Sequence, residues 1–416
     1  MLPRVEPSKR TIAEYEPIAP TELIAEIKKL AAPLRGLRVI HLNATPKGGG
    51  VAEMLQTLVS LQNDVGLKAE WYVIPPNPDF FVVTKKIHNT FQGKKHSLTN
   101  QEKQLYIEHN KKIAELMDDI RADVWVVHDP QPMAAIEYLR TRPAMVSRIH
   151  IDTSTPHGPT LSFLERYMKQ YDRVVFSLPE FVPKDFDLKR VVIFNPAIDP
   201  LSPKNKALPP RAADTILEGF GINILNPLAV QVSRFDPWKD PMGVIDAYYL
   251  AKNKIPDLQL MLVGLALAQD DPEADKIFKK VQKHAKGDPD IFLFSDIAQI
   301  GPMSNDLFVN AVQVGADVVI QKSTREGFGL VVTEAMWKGR PVIGGNVGGI
   351  RVQIEHGKSG FLVNSSGEAA GHMVELLENR ILRRKMGRAA KERARKHFLL
   401  PRLLRDYLKM LTELKG

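Results

Sequence analysis

The chain has 416 residues, 44% hydrophobic and 25% charged, with 57 Lys+Arg against 48 Asp+Glu, a net charge of +9 and no cysteine. Such a length exceeds what one core ordinarily organises, so two domains are expected; the missing cysteine excludes a disulfide framework and a thiolate metal site. No apolar run reaches the ~18 residues of a membrane span, and the opening MLPRVEPSKRTIAEYEP lacks the apolar stretch of a secretory signal, so a cytoplasmic setting is expected.

A leader of about 30 residues with a short helix precedes LRVIHL (37–42), a continuous apolar run of the buried parallel type. It ends in ATPKGGG, and beyond Gly49 and Gly50 the residues Val51, Met54, Leu55, Leu58 and Val59 recur at helical spacing. Strand, glycine loop and helix form the opening unit of a doubly wound domain, with ligands at the carboxyl edge of the sheet. The loop is neither G-x-G-x-x-G nor a P-loop, since no Gly-Lys-Ser/Thr follows. Its adjacent glycines allow a ligand close to the backbone. A second strand is expected over 69–74, then an irregular stretch over 75–99, read as a functional or mobile loop. An amphipathic helix is expected from about Gln101 to Asp119. The strand ADVWVVHD ends in His128 and Asp129, and AMVSRIHID carries Arg148, His150 and Asp152 near its end. One such histidine reads as structural; two strand ends carrying histidine at one edge of a sheet favour binding. RVVFSL and RVVIFNPAID complete the sheet.

Residues 196–210, rich in Pro, Lys and Asn, read as a linker. The alternation then restarts with PLAVQVSRF, a helix over 242–254, LQLMLVG, a helix over 273–286, DIFLFS, a helix over 306–314, DVVIQKS, RPVIGG, GFLVN and three terminal helices. The expected fold is α/β, with two doubly wound Rossmann-like domains facing each other across a cleft. The expected boundaries are 1–205, joined by the C-terminal helix at about 398–416, and 206–397 between them. Leu403, Leu404, Tyr407, Leu408 and Leu411 form a stripe that marks the last helix as core. The dense basic group from Arg383 to Lys396 lacks aromatic partners for bases and reads as a solvated face.

The chemistry concentrates in STREGFGLVVTEAMWKGRPVIGGNVGG (323–349). A strand runs into a polar loop, and a helix opens at Gly329. Gly327 and Gly329 bare the first backbone amides, and unpaired donors at a helix N-terminus favour an anion. Glu326 and Glu334 flank this cradle. Carboxylates on both sides suit a ligand with hydroxyls on both sides of its phosphates: sugar, diphosphate, ribose. Taken alone the stretch also fits a strand–turn–helix with surface acids. SRFDPWKD adds Arg234 and Lys239 at the end of the second domain's first strand, two cations able to clamp a diphosphate from the opposite side.

GGG, SRFDPWK, EGFGLVVTEA and GRPVIGGNVGG, in that order over nearly the whole chain, resemble the retaining nucleotide-sugar glycosyltransferases of the GT-B fold, family 4. Within that family VHDPQP, RIHID and FNPAIDPLSPKN are similar to members that form trehalose by joining the glucose of a nucleotide-diphosphate-glucose to free glucose. The resemblance implies that Arg234 and Lys239 stabilise the leaving diphosphate. Gly49, Gly50, Gly327, Phe328, Gly329 and Leu330 would hold the donor, Glu326 the transferred sugar and Glu334 the ribose. His150 would face the sugar, with His128, Asp129 and Asp152 on the acceptor side. It implies transfer with retention by front-face attack, no cofactor and no divalent metal, the two cations carrying the charge work. Where the family often has glycine before the arginine, this chain has Ser233. The expected partners are a nucleotide-sugar donor and a small sugar acceptor, with no nucleic acid and no membrane; a homodimer is an open alternative. Cysteine-free, charge-rich composition also fits a thermophile. The competing readings are another sugar, glucan or lipid acceptor, a nucleotide-sugar epimerase, a glycosidase using Glu326 and Glu334, and an RNA binder, which lacks its aromatic strand motif.

Overall fold

The computed structural model describes residues 1–266 and 272–415. The chain divides into two compact units, Met1–Ala197 with Leu400–Gly416, and Ile198–Leu399.

The first unit is built on β1 (Arg4–Val5), β2 (Arg38–Asn43), β3 (Lys68–Val73), β4 (Val124–His128), β5 (Ala144–Arg148), β6 (Arg173–Phe176) and β7 (Val191–Ile193). Their order is β1-β3-β2-β4-β5-β6-β7, parallel throughout except for the short antiparallel edge β1. β2 and β4 are buried on both faces, which is why they read as unbroken apolar runs. Strand order reverses between β2 and β4, so the loops after these two strands open on the crevice where doubly wound sheets bind ligands. The glycine loop follows β2; His128 ends β4 and Asp129 follows it.

The stretch 75–99 is not an irregular loop. Pro78–Phe91 is a helix, capped by Asn77, whose side chain accepts from the amide of Phe80. Pro78 occupies the first helical turn, where a missing N–H costs nothing. Phe80, Val83, Ile87 and Phe91 are buried. Within 75–99 only residues 75–77 and 92–99 lie outside regular structure. The next helix, Asn100–Met117, holds the loop after β4: Tyr106 donates to the carbonyl of Pro130 at 2.5 Å and Asn110 to that of Gln131 at 3.1 Å.

The second unit carries β8 (Leu228–Val232), β9 (Gln259–Ala266), β10 (Ile291–Asp296), β11 (Val318–Gln321), β12 (Val342–Gly345) and β13 (Gly360–Val363). They form a fully parallel sheet in the order β10-β9-β8-β11-β12-β13, with a buried apolar cluster on each face. Here the order reverses between β8 and β11. The loop bearing Arg234 and Lys239 follows β8, and the loop bearing Glu326 follows β11, so two stretches some ninety residues apart meet at one crevice.

Two further expectations are corrected. Residues 198–210 are not a linker: they belong to the second unit, where Asn310 donates to the carbonyls of Pro203 and Lys206, and Trp337 donates to that of Asn205. The unit boundaries therefore fall after Ala197 and before Leu400 rather than at 205 and 398. The basic helix Arg380–His397 is also more than a solvated face. Arg383 pairs with Asp317 at 3.0 Å, and Arg393 caps the carbonyls of Val352 and Gln353 at 2.7 Å.

Candidate active site

In the second unit the loops after β8 and β11 are laced together. Thr324 N–H donates to the carbonyl of Trp238 at 2.9 Å, and Lys322 pairs with Asp240, which caps the helix Pro241–Lys252 from a left-handed backbone (φ 49°). Gln231, on β8, donates to the carbonyl of Lys239 at 2.8 Å and fixes the end of the clamp loop. Lys239 Nζ then meets Glu326 Oε2 at 2.5 Å, an ion pair with both side chains largely buried. Ser323 donates to the same carboxylate oxygen at 3.3 Å. Arg234 differs: its side chain is 64% exposed, and Asp236 lies 3.6 Å from its guanidinium.

Glycines at the end of β12 and just beyond it seat the Glu326 loop. A Cβ on Gly345 would sit 2.0 Å from the carbonyl oxygen of Ser323, and one on Gly348 would sit 1.8 Å from that of Glu326. Gly349 N–H donates to the carbonyl of Gly327 at 3.2 Å. Gly329 has φ 81° and caps the helix Leu330–Trp337, a conformation that disfavours side chains. Phe328 is buried against Phe398, and Gln353 donates to the carbonyls of Phe328 and Gly329. Leu330 opens the helix in a half-buried position.

Glu334 stands apart from that ion pair in a buried polar group of its own. Gln313 donates to it at 3.4 Å, and Lys204 Nζ lies 3.9 Å away. Lys338, one helical turn on, donates to Gln313 and Asn205 at 2.8 and 2.9 Å. Burial lowers its ammonium to about 8, against the upward pull of Glu334. Lys204, Gln313 and Lys338 were not singled out from sequence. The i, i+4 spacing of Glu334 and Lys338 was the available signal; Lys204 was hidden in the supposed linker.

In the first unit Gly48 and Gly49 have φ 80° and 83°, and an added Cβ would meet nothing within 4 Å at either, so this backbone stands open beside the helix that begins at Gly50. Across the crevice, His128 Nδ1 lies 3.0 Å from His150 Nε2, and Asp129 Oδ1 accepts from the amide of His150 at 2.8 Å. Asp129 holds φ 62°, uncommon for a non-glycine residue. Packing raises its carboxyl to about 7, against the amide of His150 and the charge of Arg148. Asp152 is buried and accepts from the amide and hydroxyl of Ser154 at 2.9 and 2.6 Å. Arg148 is wholly buried, donating to Ser177 and the carbonyl of Phe194; burial lowers its guanidinium to about 10. His41, on β2, is a further member that sequence reading missed, with Nδ1 3.0 Å from His128 Nε2. Histidines on or just beyond three strands, β2, β4 and β5, were the available signal.

Among the described residues no group of three or more His, Asp or Glu side chains is placed to hold a metal ion, and no helix is long and apolar enough to cross a membrane.

Residues 41–183 match the family described as trehalose synthase, N-terminal domain, and residues 213–393 match glycosyl transferases group 1. A trehalose synthase of Rubrobacter xylanophilus is 46% identical over 100% of both chains, and one of Pyrococcus horikoshii is 42% identical over 98% of this chain and 97% of its own. Among solved structures, the Anabaena protein HepE in complex with UDP and glucose aligns with a TM-score of 0.67 at 18% identity, covering 91% of this chain and 100% of that one. At that identity the likeness shows the fold alone, which is GT-B. The chain is thus a glycosyltransferase of group 1, family 4. Within that class it belongs to the trehalose synthase family.

Proposed function

We propose that this glycosyltransferase moves glucose from a nucleotide-diphosphate-glucose to free glucose, forming trehalose with retention, and that the second unit holds the donor. The full-length likeness to trehalose synthases supports the reaction. The observation that carries the residue roles is the 2.5 Å contact between Lys239 and Glu326 where two crevice loops meet. One cation for a phosphate and one carboxylate for sugar hydroxyls stand side by side, as a sugar–phosphate junction requires.

In this reading the bond from glucose C1 to the diphosphate oxygen breaks as C1 bonds to an acceptor hydroxyl on the same face. The acceptor's proton passes to the leaving phosphate oxygen. Lys239 and Arg234 stabilise the charge that develops there, with amides around Gly49, Gly50, Gly327, Phe328, Gly329 and Leu330 as further donors. Glu326 binds hydroxyls of the transferred glucose, and Glu334, oriented by Gln313 and Lys204, binds the ribose. His150 faces the sugar, while Asp129, His128 and Asp152 shape the acceptor side. Charge is supplied by side chains, so EDTA is expected to leave turnover unchanged; loss of turnover restored by magnesium would contradict this role. The cysteine-free composition supports a cytoplasmic setting.

The test is product analysis by NMR after UDP-, ADP- and GDP-glucose are mixed separately with glucose. Trehalose should form with at least one donor and only when glucose is present. Donor consumed at the same rate without glucose would instead favour an epimerase or a hydrolase.

A further inference from the structure

Three histidines of the first unit, His41 and His128 buried and His150 half-buried, form a row that ends at a buried glutamine. Gln62, fully buried on the helix Gly50–Asp64, places Oε1 2.9 Å from His41 Nε2. His41 Nδ1 lies 3.0 Å from His128 Nε2, and His128 Nδ1 lies 3.0 Å from His150 Nε2. Adjacent rings stack with centroids 5.3 Å apart at both steps. Burial holds His41 at about 4 and keeps His128 and His150 well below the ordinary histidine range, with the charge of Arg148 adding to the depression at His150. All three are therefore neutral near pH 7.

A neutral imidazole has one N–H and one lone pair. Three contacts in a row must then all point the same way, and the first one sets the direction. An amide oxygen only accepts, so His41 donates to Gln62 from Nε2. Its Nδ1 accepts from His128 Nε2, and His128 Nδ1 accepts from His150 Nε2. His150 is left with a bare Nδ1. We propose that Gln62, acting through His41 and His128, is a positioning residue that fixes the tautomer of His150 and so presents its Nδ1 as a hydrogen-bond acceptor for a sugar hydroxyl. A second observation supports a directional role: Gln62 Nε2 is buried without a hydrogen-bond partner among the described residues. A residue kept only for volume would avoid that cost, since methionine fills the same space without it. Hydrogen-bonded neighbours fix the tautomer of a functional histidine in this way generally.

The inference rests on the reading of His150 as a sugar-facing residue, and its test separates the two. Selective 15N-histidine labelling of the full chain reports which ring nitrogen of His150 carries the proton, independently of activity. The wild type should show His150 protonated at Nε2. Gln62→Met should give a mixture of tautomers at His150 and lower kcat roughly tenfold at nearly constant donor KM. Gln62→Glu, which keeps an acceptor oxygen, should preserve both the tautomer and most of the turnover at pH 8. Protonation of His150 at Nδ1 in the wild type, or an unchanged tautomer in Gln62→Met, would overturn the proposal. Full turnover in His150→Ala would instead remove the sugar-facing role and leave the tautomer result standing.

Discussion

At the scale of single residues, the two cations of the clamp loop should be separable. Lys239 is nearly buried against Glu326, so Lys239→Ala strands a carboxylate as well as removing a charge donor. It should destabilise the second unit by about 1–3 kcal/mol and lower kcat by roughly 10²–10³. Arg234 is mostly exposed, so Arg234→Ala should lose turnover to a similar degree with an unchanged urea midpoint. Equal stability losses in the two variants would contradict this division. The histidine row makes a separate prediction for acid. Burial depresses His41 from 6.5 to about 4, so the unfolded chain takes up a proton first on acidification. Stability should fall as pH drops from about 6.5 to about 4, by roughly 3 kcal/mol from this residue alone. His128 and His150 act in the same direction. Asp129 works the other way: its folded carboxyl is raised from 3.8 to about 7, so its contribution favours the fold at low pH and is lost as pH rises through about 7. The Asp129→Asn protein, which removes the opposing carboxyl, isolates the contribution of the row. A urea midpoint of this variant that stays flat between pH 6.5 and 4 would show that the row is not neutral in the folded state.

At the scale of elements, the glycines at the end of β12 and just beyond it act as a seat for the Glu326 loop. Gly348→Ala sets a methyl 1.8 Å from the carbonyl oxygen of Glu326 and adds strain at φ 41°. The loop must shift, and kcat should drop at least tenfold while far-UV circular dichroism stays unchanged; near wild-type kcat would show that the loop's position does not matter. Much of this arrangement was legible in the sequence. Parallel strands covered on both faces read as apolar runs, and a glycine-framed strand–loop–helix announces its own crevice. The helix Pro78–Phe91 was not legible, because Pro75, Pro76 and Pro78 read as loop although the last of them starts a helix. The role of residues 198–210 was hidden for a related reason: local composition describes a linker, whereas their hydrogen bonds run to Asn310, Trp337 and Lys338, more than a hundred residues away. The histidine row needs strand register, which one sequence does not supply.

At the scale of the whole molecule, the first unit is discontinuous: its last helix, Leu400–Lys415, follows the entire second unit in sequence. Leu403, Leu404, Tyr407, Leu408 and Leu411 are all fully buried, Tyr407 lies edge-on to His41 and Phe194, and Arg402 caps the carbonyls of Asn195 and Pro196. Burying five such side chains contributes about 8–15 kcal/mol, which matches the whole stability of a typical domain. A chain truncated after Leu399 should therefore keep a cooperative transition for the second unit and lose that of the first; two intact calorimetric transitions would contradict this. The same interruption governs how the protein is made. As the chain leaves the ribosome, the first 197 residues hold an uncovered apolar face until the final helix emerges. At ordinary translation speeds, about 5–20 residues per second, the wait for the intervening two hundred or so residues lasts roughly 10–40 s. The later-made unit can finish folding while the earlier one is still incomplete, so nascent chains stalled before Leu400 should be the aggregation-prone species that cellular chaperones encounter.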